Sequence, residues 1–203
     1  MDHGVDLEAR VVAQRTALHL AVRKGQVKVV QMLLERGANV NTVCTGNMTP
    51  LLESVYTSKV DELIPLLLKH GADINTKNDD GFNVLRLLTS SLDKEHIDLA
   101  KTLIEKGLSP CDVVSDQYHP LHVAVQKGKI KLVKLFLDFD ADVNAVGFRD
   151  EFPLFVAAKD CEDPIMLLTL LERGAKIDQK LSSGLTALFT LISNQSSHPN
   201  KTH

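Results

Sequence analysis

The sequence is poor in several residue types, and each shortage argues against a class of protein. It has no tryptophan, and aromatic residues make up 4% of its 203 residues, so a core must be built mainly from aliphatic side chains. Its three cysteines, Cys44, Cys111 and Cys161, form no closely spaced pair. This argues against a disulfide scaffold and a zinc ribbon. No apolar run approaches the roughly 18 residues needed to span a bilayer.

The balance of charge and hydrophobicity is typical of a soluble globular protein. The chain is 44% hydrophobic and 24% charged, with a formal net charge of −3, which argues against intrinsic disorder. A strongly basic surface is missing, so we expect no nucleic-acid partner. The first residues have neither the basic start nor the apolar stretch of a signal peptide. Together with the scattered cysteines, this favours an intracellular, cytoplasmic protein.

A short motif recurs along the chain at a nearly constant spacing. Its first copy is Gly-Ala-Asn-Val-Asn at residues 37–41, and successive copies begin 34, 36, 33 and 34 residues apart. A second landmark, Thr-Ala-Leu-His at residues 16–19, recurs in the same phase. The first landmark begins at Gly37, Gly71, Gly107, Asp140 and Gly174, and the second at Thr16, Thr49, Asn83, His119, Phe152 and Thr186. Two landmarks in phase indicate a repeat protein.

The repeating unit resembles the ankyrin repeat, which is about 33 residues long and opens with Thr-Pro-Leu-His. The resemblance covers roughly residues 3–192. It implies an all-α solenoid of stacked helix-turn-helix units with projecting β-turn fingers, forming a single array over residues 1–203. We expect the tail of a preceding repeat, five full repeats, and a partial sixth repeat with a tail, at residues 1–15, 16–48, 49–82, 83–118, 119–151, 152–185 and 186–203.

The chain begins and stops within the repeat period. We therefore expect it to be a piece of a longer ankyrin array. The alternative is a natural short protein with minimal caps, because terminal repeats are often atypical.

Each unit carries the sequence signals of two helices and a turn. A threonine such as Thr16 suits the cap of the first helix, and proline at the next position suits its first turn. Glycines such as Gly37 suit the end of the second helix, where a left-handed backbone is wanted, and Asp140 takes that place once. Apolar residues recur at helical spacing. We expect the equivalent core residues of successive second helices to be Leu33, Leu67, Leu103, Leu137 and Leu171.

The residues that invite a chemical role are explained by the repeat. The resemblance implies that His19 and His122 hydrogen-bond the backbone between neighbouring turns. His119 and His122, with Cys111 upstream, could hold a metal only if a third ligand converged, and the usual zinc spacings are missing. The sequence has no phosphate-binding glycine loop, nucleophile elbow or His-Glu-x-x-His helix. We therefore expect no enzyme activity, no metal and no cofactor.

The finger residue just before each opening motif gives the best functional signal. The resemblance implies that this position faces the concave groove, and three consecutive repeats carry Met48, Phe82 and Tyr118 there. Methionine and aromatic side chains are frequent anchors of interfaces. They either form a binding surface or fold down onto neighbouring turns as satellite packing. The predicted partner-binding residues are Arg15, Met48, Tyr56, Phe82, Tyr118 and Phe148.

These observations favour a non-catalytic interaction module, a scaffold or adaptor that binds a protein or extended peptide in the concave groove. The alternative is a regulatory sensor array that binds a small molecule or nucleotide and controls an attached effector domain, with stacking and charge from Phe82, Arg86 and Tyr118. An enzyme would need a converging acid/base or nucleophile set, which we do not find. We expect a monomeric array without a membrane span.

Overall fold

The fold is built from short helices arranged in pairs. The computed structural model describes residues 6–91, 96–111, 119–161 and 163–197, with side chains as far as residue 193. Between residue 6 and residue 197, the described residues form helices and isolated β-bridges but no strand, which confirms the predicted all-α class. The helices are α1 Ala17–Arg23, α2 Val27–Glu35, α3 Pro50–Glu53, α4 Val60–Lys69, α5 Val84–Ser90, α6 Ile97–Glu105, α7 Pro120–Gln126, α8 Ile130–Asp138, α9 Pro153–Asp160, α10 Pro164–Glu172 and α11 Ala187–Ser197.

The chain divides into two compact units, residues 1–91 and residues 92–203. In the first unit, α1 packs against α2 and α3, α3 packs against α4 and α5, and α2 packs against α4. In the second unit, α7 packs against α8 and α9, α9 packs against α10 and α11, and α8 packs against α6 and α10. Each helix therefore buries its apolar side both within its own pair and against the neighbouring pair, as expected for stacked repeats.

The first helices begin at the capping residues that the sequence predicts. The Thr49 hydroxyl accepts a hydrogen bond from the Leu52 amide at 3.3 Å, and the Asn83 side chain accepts one from the Arg86 amide at 2.9 Å. Pro50, Pro120 and Pro153 each occupy the first turn of a helix, where the missing N–H costs no intrahelical hydrogen bond.

The second helices end in one repeated hydrogen-bond arrangement, which fixes their register. A residue with positive φ follows the helix, and the next amide donates back to a carbonyl inside it. Asp140 has φ of 61° and takes the place that glycine holds in the other copies, which confirms its predicted role. The amide-to-carbonyl pairs are Ala38 to Leu33, Ala72 to Leu67, Leu108 to Leu103, Ala141 to Phe136 and Ala175 to Leu170, at 3.0 to 3.2 Å.

This arrangement corrects the predicted core of the fourth and fifth repeats. Phe136 and Leu170 are the equivalents of Leu33 and are fully buried. The predicted residues, Leu137 and Leu171, follow them by one position, and Leu171 is 37% exposed. One residue is a rotation of about 100° on a helix, which is enough to turn a side chain out of the core. The prediction is wrong at these two positions because two adjacent apolar residues fit the spacing almost equally well.

Two buried histidines connect each first helix to the turn of the following repeat. Nε2 of His19 donates to the Met48 carbonyl, and Nε2 of His122 donates to the Glu151 carbonyl, both at 3.0 Å. The Thr16 amide and hydroxyl both lie within hydrogen-bond distance of Nδ1 of His19. A ring that donates through Nε2 and accepts at Nδ1 is neutral. The contacts place both histidines in the structural role that the repeat implies.

We predict that alanine substitution distinguishes Phe136 from Leu137. Phe136→Ala removes a fully buried ring, so it is expected to lower the free energy of unfolding by about 3–5 kcal/mol. Leu137→Ala is expected to cost no more than half as much, since its side chain is only partly buried. Urea unfolding of the two variants measures both values. Equal losses would contradict the register that the hydrogen bonds at the helix ends define.

We also predict a loss of stability in mild acid that depends on His122. Burial lowers the pKa of His122 from 6.5 to about 4, so the unfolded chain binds a proton that the folded chain does not. Stability is therefore retained above pH 6.5 and is lost as the pH falls towards 4, by up to about 3 kcal/mol. Denaturant midpoints across this range should fall less steeply for His122→Gln than for the parent and a His70→Gln control. Parallel pH profiles would refute the assignment.

Candidate functional site

The fingers of the first unit are joined to one another by backbone hydrogen bonds. The Thr45 amide donates to the Ala13 carbonyl at 3.1 Å, and the Asp79 amide donates to the Gly46 carbonyl at 3.0 Å. The Asn47 side chain adds a bond to the Lys77 carbonyl at 2.6 Å. These bonds hold three consecutive fingers side by side. The residues before the opening motifs of repeats one to three, Arg15, Met48 and Phe82, therefore lie on neighbouring fingers.

Arg15 forms an ion pair with the first helix of the second repeat. Its Nε and Nη2 atoms donate to Oε1 of Glu53 at 3.1 and 3.0 Å. The Glu53 side chain is only 6% exposed, whereas that of Arg15 is 21% exposed. Burial, followed by the nearby Glu53 carboxylate, raises the pKa of the Cys44 thiol. Arg15 therefore fixes a buried carboxylate in addition to presenting a partly exposed cation.

Met48 and Phe82 are both half-buried, and they differ in what they contact. The Met48 backbone closes a β-bridge with Cys44 and accepts the hydrogen bond from His19. The guanidinium of Arg86 lies 4.6 Å from the centroid of the Phe82 ring, a distance typical of a cation–π contact. Arg86 is itself buried and donates to the Ser90 hydroxyl. One face of Phe82 is therefore occupied by a side chain of its own repeat.

Tyr56 is the most exposed aromatic residue of the predicted set that the structure describes. It ends the 3-10 turn Ser54–Tyr56, which continues α3, and its side chain is 65% exposed. Partial burial of the hydroxyl, followed by the Asp80 and Glu53 carboxylates, raises its pKa. The phenol thus lies close to both carboxylates, on the side of the first unit that carries Arg15 and the second finger.

The two remaining predicted residues belong to the second unit. Phe148 opens the 3-10 turn Phe148–Asp150 in a finger, is 41% exposed, and has the Arg149 guanidinium 5.0 Å from its ring centroid. Tyr118 lies outside the described residues. In the same unit the buried Glu151, at the position equivalent to Arg15, accepts from Nζ of Lys159 at 2.9 Å.

Sequence reasoning did not identify Glu53, although a signal for it exists. Glu53 lies four residues after the helix cap Thr49. The equivalent residues of the other four full repeats are apolar: Leu20, Leu87, Val123 and Val156. A single carboxylate in an apolar row predicts a buried partner of opposite charge, since unpaired buried charges are rare. Arg15, 38 residues earlier, is that partner.

The structure gives no support to a metal site at the histidine pair. The rings of His119 and His122 are stacked with centroids 5.4 Å apart, and Nδ1 of His119 lies 3.1 Å from the Cys111 carbonyl oxygen. Across the described ranges, no group of three or more His, Cys, Asp or Glu side chains could hold a metal ion.

Hydrophobic length is the remaining structural test of the chain. Among the helices of the described residues, none combines the length and the hydropathy that a membrane crossing requires.

Three proteins illustrate what the chain is similar to. It is 28% identical over 172 residues to the human transient receptor potential cation channel subfamily A member 1, covering 80% of this chain and 15% of that protein. It is 32% identical over 167 residues to the nuclear factor NF-kappa-B p105 subunit of Gallus gallus, covering 78% and 16%. The B-cell lymphoma 3 protein homolog of Mus musculus is 36% identical over 105 residues, covering 51% and 22%. The chain spans less than a quarter of the length of each relative.

The solved structures and the family models agree on the fold. The crystal structure of the human ASB11 ankyrin repeat domain superposes with a TM-score of 0.80 at 22% identity, covering 98% of this chain and 90% of that chain. A family model described as ankyrin repeats in three copies matches residues 1–78 and 54–147. The chain belongs to the ankyrin repeat family.

Proposed function

We propose that the chain is a non-catalytic interaction module, a scaffold or adaptor that binds a protein or extended peptide across its fingers and first helices. Ankyrin repeats generally mediate protein–protein interaction, and the family is generally non-enzymatic. The observation that carries the proposal is the surface of the first unit, where Met48, Tyr56 and Phe82 lie on adjoining elements and Tyr56 is largely exposed. Methionine and aromatic side chains of this kind are frequent binding anchors.

The geometry of neighbouring fingers suggests the spacing of the partner's anchors. Packed helices lie about 8–10 Å apart, and an extended peptide advances about 3.3 Å per residue. Pockets beside Met48 and Phe82 therefore suit apolar side chains about three residues apart. Tyr118 extends this row by one repeat in the proposal, and Phe148 by another. Arg15, paired with Glu53, supplies a fixed cation at the other end of the row.

The contacts in the first unit bear on the alternative of a small-molecule sensor. That alternative assigns ligand stacking to Phe82 and ligand charge to Arg86. Both groups are already engaged with each other, and Arg86 also donates to Ser90. Protein or peptide binding, which uses the remaining exposed edges, is the better supported proposal.

We further propose that the module acts inside the cell, in the cytoplasm. The thiols of Cys44, Cys111 and Cys161 are all free, one of them exposed. Free thiols persist in reducing compartments, whereas secreted domains generally pair them.

Substitution of the anchors tests the proposed surface. A binding peptide is first selected from a displayed random library against the folded chain, and its dissociation constant is measured by calorimetry. Phe82→Ala, Met48→Ala and Tyr118→Ala are each expected to weaken binding at least tenfold, because a few buried anchors carry most of the energy of such interfaces. Circular dichroism confirms that each variant is folded.

Lys131→Ala is the matched control, since Lys131 is exposed on α8 in the second unit. Its affinity for the selected peptide is expected to equal that of the parent. A loss of binding on Lys131→Ala without a loss on the anchor variants would move the site to the basic helix face.

A further inference from the structure

The outward side of α10 is apolar, unlike that of the other second helices. Ile165 and Leu168 are 52% and 57% exposed. Counted back from the residue that ends each helix, the position of Ile165 is occupied elsewhere by Lys28, Glu62, Asp98 and Lys131. The position of Leu168 is occupied elsewhere by Gln31, Pro65, Lys101 and Lys134. All eight of these residues are exposed, so only the fifth repeat replaces an ordinary polar surface with leucine and isoleucine.

Helix α10 is therefore apolar on all sides. Its inner side buries Met166 and Leu170, while Ile165, Leu168 and Leu171 are exposed. A helix that is hydrophobic all round is normally buried on all sides. The register correction at Leu171 brings this surface to light, because Leu171 joins the two outward residues in one stripe.

The apolar surface continues onto α11. In the five full repeats, the leucine two residues after the first-helix cap is buried, as Leu154 is, by the second helix of the same repeat. The equivalent Leu188 is 52% exposed, and Phe189 beside it is similarly exposed. Helix α10 packs against both α8 and α9, and α8 packs in the same way against α6 and α7. The next place in this series borders α10 and α11 together, so the two stripes face one space.

Stacking of a further repeat does not account for the whole of this surface. A helix placed beside α11 as α10 is placed beside α9 would cover Leu171 and Leu188. It would leave Ile165 exposed, because the equivalent residues of the earlier repeats, such as Lys131 on α8, stay exposed although a following second helix packs there. The outward residues of α10 therefore require a contact of a different kind.

We propose that this surface, made of Ile165, Leu168 and Leu171 on α10 with Leu188 and Phe189 on α11, binds the same surface of a second copy of the chain. The chemistry is self-complementary, since the stripes are apolar and α11 contains no charged residue. A surface that pairs with itself about a two-fold axis forms a closed dimer. This replaces the monomeric state expected from the sequence.

The size of the surface fits such a dimer. Together with Ile177 and Leu185, it contains seven large side chains that are each 37% to 58% exposed. Side chains of this size expose on the order of 500 Å² of apolar area at such values. An apolar patch of this extent on a soluble protein usually marks an interface. A standard interface covers about 800 Å² per partner, so polar groups at the rim would supply the remainder.

Sedimentation of the whole chain tests the proposal. Over about two decades of concentration around the micromolar range, the parent is expected to sediment as a monomer–dimer equilibrium. The double variant Ile165→Lys and Leu168→Lys carries the residues found at the same positions of α8, which are compatible with a folded repeat. It is expected to raise the dimer dissociation constant at least tenfold without changing the melting temperature at low concentration. Val29→Lys, a substitution of an exposed apolar residue on α2, is the control and should dimerise like the parent.

A second measurement locates the contact directly. Leu168→Cys, made together with Cys111→Ser to remove the exposed native thiol, is expected to form an intermolecular disulfide under mild oxidation. A parent that remains monomeric throughout would overturn the proposal. A dimer that persists in the double lysine variant, or a Leu168→Cys variant that does not cross-link, would overturn it equally.

Discussion

The stack depends on one side-chain interaction that ties each interrepeat turn to the next. The Asn41 amide nitrogen donates to the Gly71 carbonyl at 3.1 Å, and its oxygen accepts from the Asp73 amide at 2.8 Å. Asn144 makes the same two bonds, to the Gly174 carbonyl and the Lys176 amide. One side chain thereby satisfies two backbone groups that helices leave unpaired at their ends. This two-point contact sets the position of each turn, and with it the position of the fingers.

Much of the fold could be predicted from the sequence because the repeat landmarks are residues with fixed backbone or capping roles. The glycines and Asp140 mark helix ends, and residues such as Thr49 and Asn83 mark helix starts. The error in the fourth and fifth repeats came from the residues between these landmarks. Two neighbouring apolar residues satisfy the same periodicity, and only the distance to the helix end decides which of them enters the core.

The candidate sites could be predicted less well, because they depend on contacts between distant residues. Position in the repeat identified Arg15 and Phe82 as finger residues, but it could not show that Glu53 and Arg86 already contact them. The apolar stripe on α10 was hidden for a related reason: a run of apolar residues does not state which of them face outward until the register is fixed. Both surfaces result from single departures from the repeat, a carboxylate in an apolar row and two aliphatic residues in a charged one.

The most direct test of the central claim is amide hydrogen exchange at Asp73 in Asn41→Ala. If the asparagine bridge holds consecutive turns together, the Asp73 amide is protected in the parent and exchanges much faster in the variant, and unfolding requires about 1–3 kcal/mol less. Gln31→Ala, which removes an exposed hydrogen bond to Glu35 within one helix, should leave both quantities nearly unchanged. Unaltered protection of Asp73 in Asn41→Ala would show that helix packing alone positions the turns and would contradict the account.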